Sequence, residues 1–171
     1  DVPAHLYTYS FEPHPEWSRT FAPGPEICKY FESIAQKYNV HDFVRFNEAV
    51  PVCEFENGRW RIETSQGRKD EADIVIAATG VLHVPNKANI PGLDDFKGAC
   101  FHSAEWDHSV PLEGKRVGVI GTGSTAIQIT TALVDKVAKF DLFQRTAQWV
   151  MPIEDVPYSE AEKSEFRSNR D

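Results

Sequence analysis

Gly121, Gly123 and Ala126 stand in the order G-x-G-x-x-A, directly after the apolar run Val117-Gly118-Val119-Ile120. The first glycine permits a tight turn, the second lets a pyrophosphate approach the backbone, and a small third residue lets helix and strand pack closely. A helix beginning there offers free N–H groups and a positive dipole end to phosphate. Further on comes Gln144-Arg145-Thr146. At this point an NAD-binding unit usually presents Asp or Glu to the ribose hydroxyls. Asp141 falls too early for that role. An arginine at the mouth suits a 2′-phosphate, which selects NADPH over NADH. The alternative is a surface charge that closes a strand.

The elements needed to position these residues can be read around them. Arg116–Ile120 has the composition of a short strand. Apolar residues at 126, 127, 129, 133, 134 and 137 fit a helix with one buried face. Phe140–Phe143 supplies a second strand at the expected distance. Strand, glycine turn, helix and strand together form a dinucleotide fingerprint in its required context, which a lone glycine match is not.

Residues 1–25 are rich in aromatics and prolines and lack helix or strand periodicity. They form a long ordered loop, either packed over neighbouring structure or lining a ligand. Pro25 opens an amphipathic helix over Glu26–Tyr38, with Ile27, Tyr30, Phe31, Ile34 and Ala35 on one face. Strand patterns follow at Phe43–Phe46, Ala49–Phe55 and Arg59–Thr64. Asn57-Gly58 is a strong hairpin signal between the last two, and Gln66-Gly67 marks a second turn. Asp73–Ala78 reads as a buried strand that delivers Thr79-Gly80 to a ligand crevice at its carboxyl end. Val81–Gly114, with Pro85, Pro91 and Pro111, reads as a connector. Ser159-x-x-Glu162 is a capping box opening a polar helix.

The chain has 171 residues, 41% hydrophobic residues and a formal charge of −8. That is an ordinary globular composition, and its acidity argues against a nucleic-acid surface. No apolar run approaches membrane-spanning length. Cys28, Cys53 and Cys100 are odd in number and far apart, giving no disulfide framework, so a cytoplasmic location is expected. The six histidines show no paired metal spacing, and no metal site is expected.

Within the connector runs Phe96-x-Gly98-x-x-x-His102-x-x-x-Trp106-Asp107. On physical grounds alone His102 is a satisfied structural histidine in a loop. The whole pattern, however, resembles the fingerprint of the type I Baeyer–Villiger monooxygenases, placed just before a glycine fingerprint as it is in that family. Ala78-Thr79-Gly80 resembles the family's link back from the FAD domain, and Asp1-Val-Pro-x-x-x-Tyr7 the stretch beside the flavin. The resemblance implies an α/β fold: parts of two Rossmann-like domains, binding FAD and NADPH, with a small antiparallel β insertion. The implied division is 1–90 for the middle of the FAD domain, 91–114 for the linker and 115–171 for the first part of the NADPH domain.

The family's activity would be the conversion of ketones to esters or lactones with NADPH and O₂, through a C4a-peroxyflavin. Its partners would be a small-molecule ketone, O₂ and the remaining parts of the same polypeptide, since the FAD glycine unit and a key arginine of the family have no counterpart here. Alone, the chain would be inactive. Carried over by position, Asp1 would orient that arginine near the flavin, and Tyr7 and the Val50 backbone would touch FAD. Gly121, Thr122, Gly123, Ser124, Thr125 and Gln128 would hold the NADPH phosphates, with Arg145 and Thr146 at the 2′-phosphate. His102 would couple linker movement to cofactor positioning. Two other readings stay open: a flavin monooxygenase acting on sulfur or nitrogen, and a non-catalytic NADP-binding module.

Overall fold

A computed structural model describes residues 2–169. Contacts divide the chain into two units. One unit takes the described residues up to Ile76 and again from Pro152, and the other is Ala77–Met151.

The first unit is built on helix α1, Gly24–Lys37. Pro25 lies in its first turn, where a missing N–H costs nothing. Tyr30 and Ile34 on its inner face join Ala4 and the fully buried Trp17 in the core, with Ile27 and Phe31 packed alongside. Trp17 of the aromatic N-terminal stretch is therefore packing material, while Tyr9 and Phe11 stay exposed. Burying an indole of this size removes roughly 150–250 Å² from water, an upper estimate of about 4–6 kcal/mol. Its polar edge is satisfied, because Trp17 Nε1 donates to Thr8 Oγ1 at 3.2 Å. Tyr30 Oη donates to the Glu12 carbonyl at 2.8 Å and accepts from the Tyr9 amide at 2.9 Å.

An antiparallel meander follows: β1 (Val52–Glu56), β2 (Arg59–Glu63) and β3 (Lys69–Ala72), in the order β1-β2-β3. Asn57 and Gly58 take positive φ, 52° and 85°, as a two-residue I′ hairpin turn requires. Phe55 faces Trp60 across it, the rings 5.3 Å apart. This is the expected small antiparallel sheet.

Two expected strands are absent. Val40–Phe43 is a 3₁₀ turn between Asn39 and Asn47, both left-handed, and Phe43 is exposed. Residues 73–78 are irregular, with Ile74 and Ile76 exposed. A strand needs a ladder neighbour to satisfy its amides and carbonyls, and among the described residues none pairs with this segment.

In the second unit, β4 (Arg116–Ile120) leads through the glycine turn into α2 (Ser124–Leu133) and then β5 (Lys139–Phe143). Strands β4 and β5 are parallel, with Val117 opposite Phe140 and Ile120 opposite Phe143.

The chain re-enters the first unit after Met151. Thr20 N–H donates to the Val156 carbonyl at 3.2 Å and Tyr158 N–H to the Ser18 carbonyl at 3.1 Å. Asp155 accepts from the Phe21 amide and pairs with Arg19, both at 3.1 Å. Helix α3, Glu160–Ser168, carries the expected capping box between Ser159 and Glu162, and the Ser159 hydrogen bonds hold the Glu162 carboxyl below its usual range. Phe166 stands edge-on to His5 and Tyr158, and Arg167 pairs with Glu16. Residues 152–169 thus fold with the N-terminal segment, not as a continuation of β5.

Candidate cofactor site

The β-ladder between β4 and β5 runs one step past the strand end, where Gly121 N–H donates to the Phe143 carbonyl at 2.9 Å. The chain then turns sharply at Gly121, whose φ is 113°, a conformation that essentially only glycine adopts. Gly123 is extended and enters α2 without a side-chain cap, so the first-turn amides of Ser124 and Thr125 stay available. A Cβ placed on Gly121 or Gly123 would meet nothing within 4 Å. That open space beside free amides fits a pyrophosphate. Ala126, third in the pattern, is the buried residue of α2.

Thr122 is committed within the protein: its Oγ1 donates to the Thr146 carbonyl at 3.1 Å. Thr122 and Thr146 are thus brought together, with Arg145 exposed beside them. Asp141 pairs instead with Lys139 at 3.0 Å. Among the described residues no carboxylate pairs with Arg145. Gln128 lies on α2 one turn from Ser124 and is exposed.

In the same unit, His102 precedes a 3₁₀ turn, Ser103–Glu105, and its Nδ1 accepts from the Ala104 amide at 3.0 Å. An accepting Nδ1 assigns the proton of the neutral ring to Nε2. Phe101 and Trp106 meet edge to face, 5.3 Å between centroids. The Phe96 ring lies over Gly98, where an added Cβ would come within 2.6 Å of it. The aromatic, the glycine and the histidine of the fingerprint therefore each hold local loop structure.

The residues expected at FAD are not gathered in the same way. Asp1 lies outside the described residues. Tyr7 closes a 3₁₀ turn and is half-buried, while Val50 is exposed. No hydrogen bond joins Tyr7 to Val50. A depression of about 380 Å³ on the meander, lined by Glu54, Arg61, Lys69 and Asp70 among others, includes none of the expected cofactor residues. Among the described residues no group of three or more His, Cys, Asp or Glu could hold a metal ion, and no helix is long and apolar enough to cross a membrane.

What sequence reasoning missed is the Thr122–Thr146 bond. Its partners are 24 positions apart, and no local pattern announces it.

Strand, glycine turn, helix and parallel strand leave an open turn beside the first amides of α2, and comparison with known proteins supplies the family. The chain belongs to the flavin-binding monooxygenase-like family, whose model matches residues 2–160. It is 48% identical over 159 residues to an uncharacterized monooxygenase of Mycobacterium tuberculosis, covering 93% of this chain and 32% of that protein. It is 46% identical over 170 residues to a Baeyer–Villiger monooxygenase of Streptomyces coelicolor, covering 98% of this chain and 33% of the relative. Among solved structures, the cyclohexanone monooxygenase of Rhodococcus sp. Phi1 bound to NADP+ superposes with a TM-score of 0.85 at 33% identity, covering 98% of this chain and 33% of that one. The expected family resemblance is borne out. The chain spans about a third of the length of the curated relatives it matches.

Proposed function

We propose that the protein carrying this chain is a Baeyer–Villiger monooxygenase that uses FAD, NADPH and O₂ to convert a ketone to an ester or lactone. The observation that carries the reading is the open glycine turn at Gly121–Gly123 between parallel strands, in a chain that is 46% identical to a Baeyer–Villiger monooxygenase. The second unit is then the start of a Rossmann-like NADPH domain, and the first belongs to the FAD domain.

When bound, NADPH supplies hydride and FAD the oxygen chemistry. This chain's own part is to bind and orient. The Gly121 turn and the amides of Ser124 and Thr125 receive the pyrophosphate, with Gln128 beside them. Arg145 donates to the 2′-phosphate. His102 orders the loop ahead of β4 and couples that loop to cofactor position. FAD is assigned to the protein as a whole, and no step is drawn through Tyr7, Val50 or Asp1. The three exposed free thiols suit a cytoplasmic setting.

The test is product analysis on the full-length enzyme supplied with NADPH and either a cyclic ketone or a thioether. Lactone as the preferred product supports the reading. Sulfoxide with no lactone would transfer the protein to the sulfur- and nitrogen-oxidising flavin monooxygenases. Neither product, with NADPH still bound, would favour a non-catalytic module.

A further inference from the structure

The glycine turn and the loop after β5 are braced against each other at two points. Gly121 N–H holds the Phe143 carbonyl, and Thr122 Oγ1 holds the Thr146 carbonyl. Arg145 sits between these anchors. A threonine hydroxyl has a single proton to donate, and in Thr122 it goes to Thr146. It is then not available to a phosphate oxygen.

A long arginine side chain loses rotamer freedom when it grips a phosphate, and a mobile backbone beneath it adds to that cost. With Phe143 and Thr146 both held, the backbone part of the cost is met before the ligand arrives.

We propose that Thr122 is a specificity-positioning residue: it braces the Arg145 segment for a 2′-phosphate, instead of serving as a pyrophosphate ligand. The proposal rests on the reading of Arg145 as the 2′-phosphate partner. Loss of one neutral hydrogen bond corresponds to roughly a two- to tenfold change at equilibrium.

The test uses the full-length protein as wild type, Thr122→Val and Thr122→Ser. Calorimetry gives dissociation constants for adenosine 2′,5′-bisphosphate and for AMP, which differ only in the 2′-phosphate. The readout is the ratio of the two affinities. In Thr122→Val the preference for the bisphosphate should fall by roughly two- to tenfold. In Thr122→Ser, which keeps the hydroxyl, it should stay at the wild-type value. An unchanged ratio in Thr122→Val overturns the proposal, whether both affinities fall together, as for a shared phosphate ligand, or neither moves. A wild type that does not prefer the bisphosphate defeats the Arg145 reading itself, and that outcome is visible before any variant is measured.

Discussion

The Gly121 amide donates to the carbonyl of Phe143 over 2.9 Å, so the turn that would receive a pyrophosphate is an extension of the β4–β5 ladder. Gly121 and Gly123 therefore differ in kind. Both have open space where a Cβ would stand, but Gly121 has a φ of 113°, whereas Gly123 is extended. Gly121→Ala should cost about 1–3 kcal/mol in stability, because the backbone conformation is strained for an L-residue. Gly123→Ala should leave the melting temperature near wild type and weaken NADPH by at least about tenfold, as its methyl enters the ligand's space. Thermal unfolding and NADPH titration on both variants check the contrast. Equal losses of stability would remove the ligand-approach role of Gly123.

Arg145 sets the second prediction. Its guanidinium has no carboxylate partner among the described residues, and Asp141 is occupied by Lys139. A charge-assisted contact to phosphate is worth about 1.5–3 kcal/mol, or roughly a ten- to hundredfold preference. Wild type should therefore favour NADPH over NADH by at least that factor in kcat/KM. Arg145→Ala should remove most of the preference by weakening NADPH alone. Equal weakening of both cofactors would mean that Arg145 does not read the 2′-phosphate.

Local signals were legible in the sequence, and tertiary ones were not. The G-x-G-x-x-A spacing, the Asn57-Gly58 hairpin and the Ser159/Glu162 box each act within a few residues, and each forms where its pattern stands. The segment 73–78 has the apolar character of a buried strand, but a strand is defined by its neighbour and none is present among the described residues. The return of 152–158 to the first unit depends on Asp155 meeting Arg19 and Phe21, more than 130 positions earlier. Nothing in the local composition of that loop announces it.

His102 should separate a loop-holding role from a kinetic one. Its Nδ1 accepts from the Ala104 amide, a task that asparagine can also perform at a cap position. In the full-length enzyme, His102→Ala should slow flavin reduction by NADPH by roughly tenfold, equivalent to about 1.4 kcal/mol in the barrier, with FAD still bound. His102→Asn should recover stability without recovering the rate. Stopped-flow reduction together with thermal unfolding distinguishes the two. Unchanged rates with lowered stability in His102→Ala would leave the residue a purely structural cap.

The first unit carries a pH dependence of definite sign. Burial holds the His5 and His14 imidazoles below their usual value; His14 adds to the effect on His5, while Glu26 and Glu16 partly oppose it on His14. His5 Nε2 is buried without a partner, and its ring packs edge-on to Phe166 and Tyr158. A histidine whose folded pKa is depressed binds fewer protons folded than unfolded, so stability rises with pH between the two values. Stability should be fully present above about pH 6.5, the unfolded value, and decline below it. His5→Phe should keep the packing and reduce that acid-side decline. The check is melting temperature from pH 8 to 5. An identical slope in the variant would rule out His5 as a source.

The central claim is oxygen insertion into a ketone, and isotopic labelling tests it most directly. The full-length enzyme, reconstituted with FAD, is given NADPH, a cyclic ketone and ¹⁸O₂, and the product is examined by mass spectrometry. The account predicts a lactone that carries one ¹⁸O atom, formed in proportion to the NADPH consumed, with the second oxygen atom released as water. NADPH oxidised with all of the oxygen recovered as hydrogen peroxide and the ketone unchanged, under conditions that keep the flavin bound, would contradict it.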